Sequence, residues 1–187
     1  MTSITELSIV HAVGIDKSGD EYKITLQIFK PEAAGADTPI DISRANFKTV
    51  SASGKTAEVC MDKLSSQLGT DLFFGHLQLI VLGRDITFSN IDELFLPFKN
   101  DKSIYRETYI AATENAGETV SFPIKENAVT AENYKGIIEK AAEHGIALKS
   151  TLSDIENSYP ITHTLPITVL EITGEEDDNS PRYCQRA

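Results

Sequence analysis

Apolar and polar residues alternate most clearly from Glu21 to Phe29, where Tyr22, Ile24, Leu26 and Ile28 fall on one side of an extended chain. A period of two predicts a half-buried strand. Leu7 to Asp16 is also apolar, with a break at Gly14-Ile15-Asp16, and Lys17-Ser18-Gly19-Asp20 between the two segments has turn composition. Together they predict a hairpin. Pro31 to Pro39 is rich in Ala, Gly and Asp and predicts a surface loop, and Phe47 to Ser51 predicts a short strand.

The period then changes. From Thr56 to Leu68, Ala57, Met61, Leu64 and Leu68 recur at helical spacing as one apolar stripe, with Cys60 at its border and Gly69 as a left-handed C-terminal cap. Leu77 to Leu82 is almost wholly apolar and suits a central strand covered on both faces. Ser89 is placed to cap a helix from Ile91 to about Leu96, with Asp92 and Glu93 in its first turn and Pro97 to end it. Ile104 to Ala112 predicts another strand. Thr130 can cap a third helix from Ala131 to His144, with Tyr134, Ile137, Ile138, Ala141 and Ala142 on its apolar face and Gly145 at its end. Leu165 to Ile172 predicts a last strand, with Pro166 near its start, where a missing donor is tolerated.

A hairpin followed by alternating helices and strands predicts an α+β fold: a mixed β-sheet with packed helices, three or more of them, on both faces. Residues 1–172 are expected to form one domain. Residues 173–187, which contain Glu175-Glu176-Asp177-Asp178, are expected to be an acidic flexible tail or linker.

Charge narrows the partners. The chain of 187 residues carries a formal net charge of −11. Nucleic-acid binding is therefore not expected, because Lys and Arg must supply affinity for phosphates. Direct adhesion to anionic lipid is disfavoured for the same reason. No stretch is long and apolar enough for direct membrane insertion. Cys60 reads as a buried thiol and Cys184 as an exposed one, with no spacing that argues for a bridge.

The candidate chemistry is thin. His76 interrupts an apolar run after Gly75, but the sequence offers no partner for a general base. The expected role is structural, an imidazole hydrogen-bonded to backbone at the start of a strand. His11, His144 and His163 lack metal-ligand spacing, and the cysteines form no C-x-x-C pair. Asp16, Asp20 and Glu21 do not follow a calcium-loop order and read as turn polarity. Ser51-Ala52-Ser53-Gly54-Lys55-Thr56 resembles the end of a phosphate loop, yet Thr49 stands where its first glycine belongs. These residues are expected to launch the helix. No catalytic, metal or cofactor-binding residues are assigned, and no cofactor is expected.

Certain residues do carry a family signature. They are Gly14-Ile15-Asp16, Tyr22 to Ile28, Ser53-Gly54-Lys55-Thr56, Leu64-Ser65-Ser66-Gln67-Leu68-Gly69, and Leu72-Phe73-Phe74-Gly75-His76-Leu77-Gln78-Leu79-Ile80-Val81-Leu82-Gly83. With them the chain resembles the N-terminal domain of the C-subunit lipoproteins of spore germinant receptors (the Ger(x)C family), continuously to about residue 113 and again at Leu165-Pro166. The motif positions carried over as structural are Gly14, Asp16, Gly54, Gly69, Gly75, His76, Gln78 and Gly83. After Pro97, Phe98-Lys99-Asn100-Asp101 lacks the arginine-aspartate pair usual in the family. The resemblance implies a leader and a lipid-modified cysteine ahead of the first strand and further domains after this one. It implies a lipid anchor at the outer face of the spore inner membrane. The implied partners are other germinant receptor subunits, including a polytopic membrane subunit, in a complex that responds to small nutrients. The expected function is non-enzymatic, through protein-protein contacts. The alternatives are a small polar ligand-binding module and, resting only on His76 and the Ser53 to Thr56 loop, a hydrolase or nucleotide-dependent enzyme.

Overall fold

The computed structural model describes residues 7–29, 47–87, 89, 91–122, 130–172 and 182–183. The elements in order are β1 (Leu7–Ser18), β2 (Glu21–Phe29), β3 (Phe47–Gly54), α1 (Ala57–Leu68), β4 (Asp71–Phe73), β5 (Leu79–Gly83), α2 (Ile91–Asn100), β6 (Tyr109–Thr113), α3 (Ala116–Ser121), α4 (Thr130–Glu143), β7 (Ser150–Thr151), α5 (Leu152–Asn157), α6 (Tyr159–Thr162), β8 (Thr168–Glu171) and β9 (Arg182–Tyr183). The sheet runs β3-β2-β1-β5-β6-β8-β9, with β4 also on β1 and β7 also on β6. The first three strands pair antiparallel. Strands β1, β5, β6 and β8 pair parallel. The sheet is therefore mixed, as its sequence pattern predicts.

The hairpin forms with Ser18 opposite Glu21 and Gly19 at a φ of 59° in the turn, a conformation that glycine adopts without steric cost. On β1 the register slips between Val10 and Ala12, so His11 is an inserted bulge residue. Strand β5 is buried along its whole length. Ile80 and Leu82 enter one apolar cluster with residues of α1, α2, α5 and α6. Leu79 and Val81 enter a second cluster with Ala116 and Val120 of α3 and Tyr134 and Ile138 of α4. Helices thus cover both faces, which is what a strand with no polar position requires.

Several boundaries differ from expectation for identifiable reasons. Strand β2 is buried on both faces: beside Ile24, Leu26 and Ile28 it buries Thr25 and Gln27 under α3. Helix α2 does not stop before Pro97 but runs on to Asn100. The carbonyl that loses its donor to Pro97 belongs to exposed Glu93, where water can serve. Phe98, one turn beyond Leu94 and Phe95, extends the same buried face. The Arg106 guanidinium then donates to the carbonyls of Phe98 and Lys99 at the helix end. Ser89 shares a 2.9 Å hydrogen bond with Thr87, and the residue directly before α2 lies outside the described residues.

The strand expected over 104–112 shrinks to β6, because Asp101 and Tyr105 turn the chain by bonding Ser103 and Thr108. The strand expected from Leu165 contracts to β8; Leu165 is buried in the first cluster instead. On α1, Cys60 is a fully buried free thiol at the centre of the stripe, while Met61 and Leu68 lie at its border. That helix shares the cluster of Leu77, Ile80 and Leu82, but it packs chiefly over β3 and β2. The pattern gave no notice of β4, α3, β7, α5, α6 or β9. The Pro31 to Pro39 loop and Cys184 fall outside the described residues.

Candidate functional site

The motif positions separate into three places. Gly14, Asp16 and Gly83 meet at the carboxyl ends of the parallel strands. Asp16 Oδ1 accepts the Ala116 N–H and Oδ2 the Gly117 N–H, each at 2.7 Å. A carboxylate on the first amides of a helix satisfies orphan donors and faces the positive end of the dipole. Helix α3 has only 6 residues, too few to persist unaided. Gly14 lets it descend onto the sheet, since a Cβ there would stand 2.6 Å from the Ala116 carbonyl oxygen. A Cβ on Gly83 would occupy the space of Asp16 Oδ1.

Gly54 and Gly69 bracket α1. A Cβ on Gly54 would press to 2.8 Å on Val59 Cγ1. Gly69, at a φ of 66°, closes the helix with its N–H on the Ser65 carbonyl. Thr56 is the N-cap and accepts from the Val59 N–H. The Ser51 to Thr56 stretch is therefore strand and cap, with Lys63 Nζ already on the Ser53 carbonyl.

Gly75, His76 and Gln78 lead into β5. Gly75 accommodates the Phe73 ring, which a Cβ would strike. Leu77 N–H bonds the Phe74 carbonyl across this turn. His76 corrects the reading made from sequence: among the described residues no side-chain hydrogen bond ties it to backbone, and it is exposed. Its ring stacks on His11 at 6.2 Å and meets the edge of Phe73. Gln78 ties three elements: its N–H bonds the His11 carbonyl, its carbonyl accepts Tyr109 N–H, and its side chain accepts from Lys135 of α4. His11 is the residue that sequence reasoning passed over. Burial, then neighbouring His76, push its pKa below the usual histidine value, with Glu132 opposing. Its Nδ1 is buried without a hydrogen-bond partner. Nothing in the local sequence marks a histidine that a parallel strand pairing brings beside another. Among the described residues neither imidazole is hydrogen-bonded to a carboxylate.

An open cleft of about 550 Å³ lies at the carboxyl ends of β6 and β8, the end of a parallel sheet where ligands commonly sit. Thr113, Glu118 and Glu171 line it. Arg84 pairs with Glu114 at its rim, and a second, smaller cavity adjoins on that side. Helix α3, held by Asp16, forms one wall. No group of three or more His, Cys, Asp or Glu among the described residues is placed to hold a metal ion. No described helix is long and apolar enough to cross a membrane.

A family model described as "Spore germination protein N-terminal domain" matches residues 1–171. Among curated proteins, the "Putative spore germination protein YfkR" of Bacillus subtilis (strain 168) is 22% identical over 158 residues. The match covers 82% of this chain and 41% of that protein, so the chain spans less than half the length of this relative. No solved structure matches the chain.

Proposed function

We propose, from the premise that the chain belongs to the spore germination protein N-terminal domain family, that it is a non-enzymatic part of a spore germinant receptor. In this reading it contributes to nutrient-triggered germination through protein-protein contacts. The longer protein carries a lipid anchor to the outer face of the spore inner membrane. Its partners are other receptor subunits, among them a polytopic membrane subunit. The observation that carries the reading is the family match over residues 1–171, which includes every motif position.

The test is recovery of the lipidated full-length protein from spore membranes under conditions that preserve complexes. Receptor subunits should come with it. Their absence, with the protein itself intact, refutes the reading. A small polar ligand is the second reading, and the cleft beside Glu118 and Glu171 favours it. Titration calorimetry with amino acids and sugars decides it: saturable heat supports a ligand site, and none removes it.

A further inference from the structure

Strand β3 ends the sheet, and its outer edge faces no other strand among the described residues. Lys63 Nζ donates to the Ser53 carbonyl at 2.6 Å. That bond marks Ser53 as a residue whose backbone groups point away from β2. Alternation along an antiparallel strand turns Thr49 and Ser51 outward as well. All three are small, polar and exposed. The pairing with β2 runs unbroken from Phe47 to Gly54, with no bulge and no proline to blunt the edge.

Charge around this edge runs against the whole. The chain carries −11 overall, yet Lys48, Lys55 and Lys63 lie exposed along β3 and its flank, with Lys23 opposite Ser53 on β2. Helix α1 presents Val59 beside Lys63, one turn apart, and Val59 is 41% exposed with its side chain against Gly54. Glu58 and Asp62 sit one position earlier on α1, rotated by roughly 100° from that pair. The edge thus offers backbone groups at Thr49 and Ser51 that are unpaired among the described residues, a rim of lysines, one of them on the Ser53 carbonyl, and one apolar contact.

We infer that the outer edge of β3 is a docking edge for an extended acidic segment of a receptor partner, which adds to the sheet as a further strand. The inference rests on the receptor reading above and names the surface and the chemistry of its partner. Main-chain bonds to Thr49, Ser51 and the Ser53 N–H supply affinity, and the lysines and Val59 select acidic and apolar side chains. A second copy fits less well. Antiparallel pairing centred on Ser51 sets Lys48 of one copy opposite Gly54 of the other and brings two lysine rims of the same sign together, and like charges repel.

The test uses the full-length lipidated protein in its native membrane complex. A photo-crosslinking residue is placed at Thr49 or Ser51, and at exposed Glu143 on α4 as a control. Thr49→Pro removes an outward N–H while leaving the bonds of the β2 ladder in place; the Lys48→Glu, Lys63→Glu double variant reverses the rim without touching that ladder. Crosslinks from Thr49 or Ser51 into another receptor subunit, absent from Glu143, are expected. Either variant should lower recovery of that subunit roughly tenfold, as loss of one or two such bonds implies. Intact wild-type association with no crosslinks at the edge, and with both folded variants recovering partners normally, overturns the docking edge and leaves the receptor reading standing. Crosslinks to a second copy overturn the acidic partner. No association of the wild type with any subunit overturns both.

Discussion

Asp16 and Gly83 form a pair whose coupling can be measured. Replacing Asp16 with Ala removes both acceptors from the first amides of α3. A hydrogen bond to a charged group contributes about 1.5–3 kcal/mol. Asp16 is only partly buried, so water recovers part of that loss, and about 2–4 kcal/mol is expected. Asp16→Asn keeps one acceptor but turns an NH₂ toward the second amide, and should cost less than Ala. Gly83→Ala acts on the same bonds from the other side, because its Cβ takes the place of Oδ1. About 2 kcal/mol is expected in the wild-type background. In the Asp16→Ala background the obstructed oxygen is gone, and the nearest remaining Asp16 contact is its Cα at 3.4 Å. Gly83→Ala should then cost less than about 0.5 kcal/mol, a coupling well outside the error of additivity. Urea unfolding of the four proteins reads the cycle. Additive losses would mean that the carboxylate does not hold α3, and would refute the anchoring argument.

Other outcomes follow from single sites. Leu64 is fully buried between α1 and the sheet, so Leu64→Ala should cost about 2–5 kcal/mol in chemical unfolding; a change near zero would place the stripe in water. Tyr134 is buried with its hydroxyl on the Thr119 carbonyl at 3.1 Å, and Tyr134→Phe should cost about 0.5–1.5 kcal/mol by the same measurement. His163 caps α6 at a φ of 53°, where a side chain is strained, so His163→Gly should leave stability unchanged or raise it by up to about 1 kcal/mol. Burial and His76 lower the His11 pKa from 6.5. The unfolded chain therefore binds that proton more readily, and stability should fall as pH drops below 6.5 toward the folded value. His11→Gln should flatten that stretch of the stability-pH curve, and an unaltered slope would contradict the assignment.

Local pattern carried the fold where each element decides its own form. The hairpin, α1 with its Gly69 cap, the doubly covered β5 and the Tyr134 face of α4 all follow from periods and caps within a dozen residues. The failures share a cause. Helix α3 is 6 residues long and owes its start to Asp16, a hundred residues away, so no window contains both. Helix α2 passes Pro97 because Phe98 is wanted in the core and Arg106 serves its last carbonyls. His76, expected to hydrogen-bond to backbone at the start of a strand, has its ring brought to His11 by the turn at Gly75 instead. Each outcome was decided by tertiary contact rather than by propensity.

The same contacts separate architecture from recognition. Gly14, Asp16 and Gly83 spend their identities on holding α3 to the sheet, and α3 in turn walls the cleft at the carboxyl strand ends. A lost function after substitution at these positions would therefore report a displaced helix before it reported a lost contact. Strand β3 lies at one edge of the sheet and β8, beside the cleft, toward the other, with β2, β1, β5 and β6 between them. Changes at Thr49 or Lys48 should leave α3 and the cleft in place. Changes at Asp16 should disturb the cleft while the β2-β3 pairing survives. A phenotype that follows Thr49 and spares Asp16 belongs to the edge, and one that follows Asp16 and Gly83 together belongs to α3.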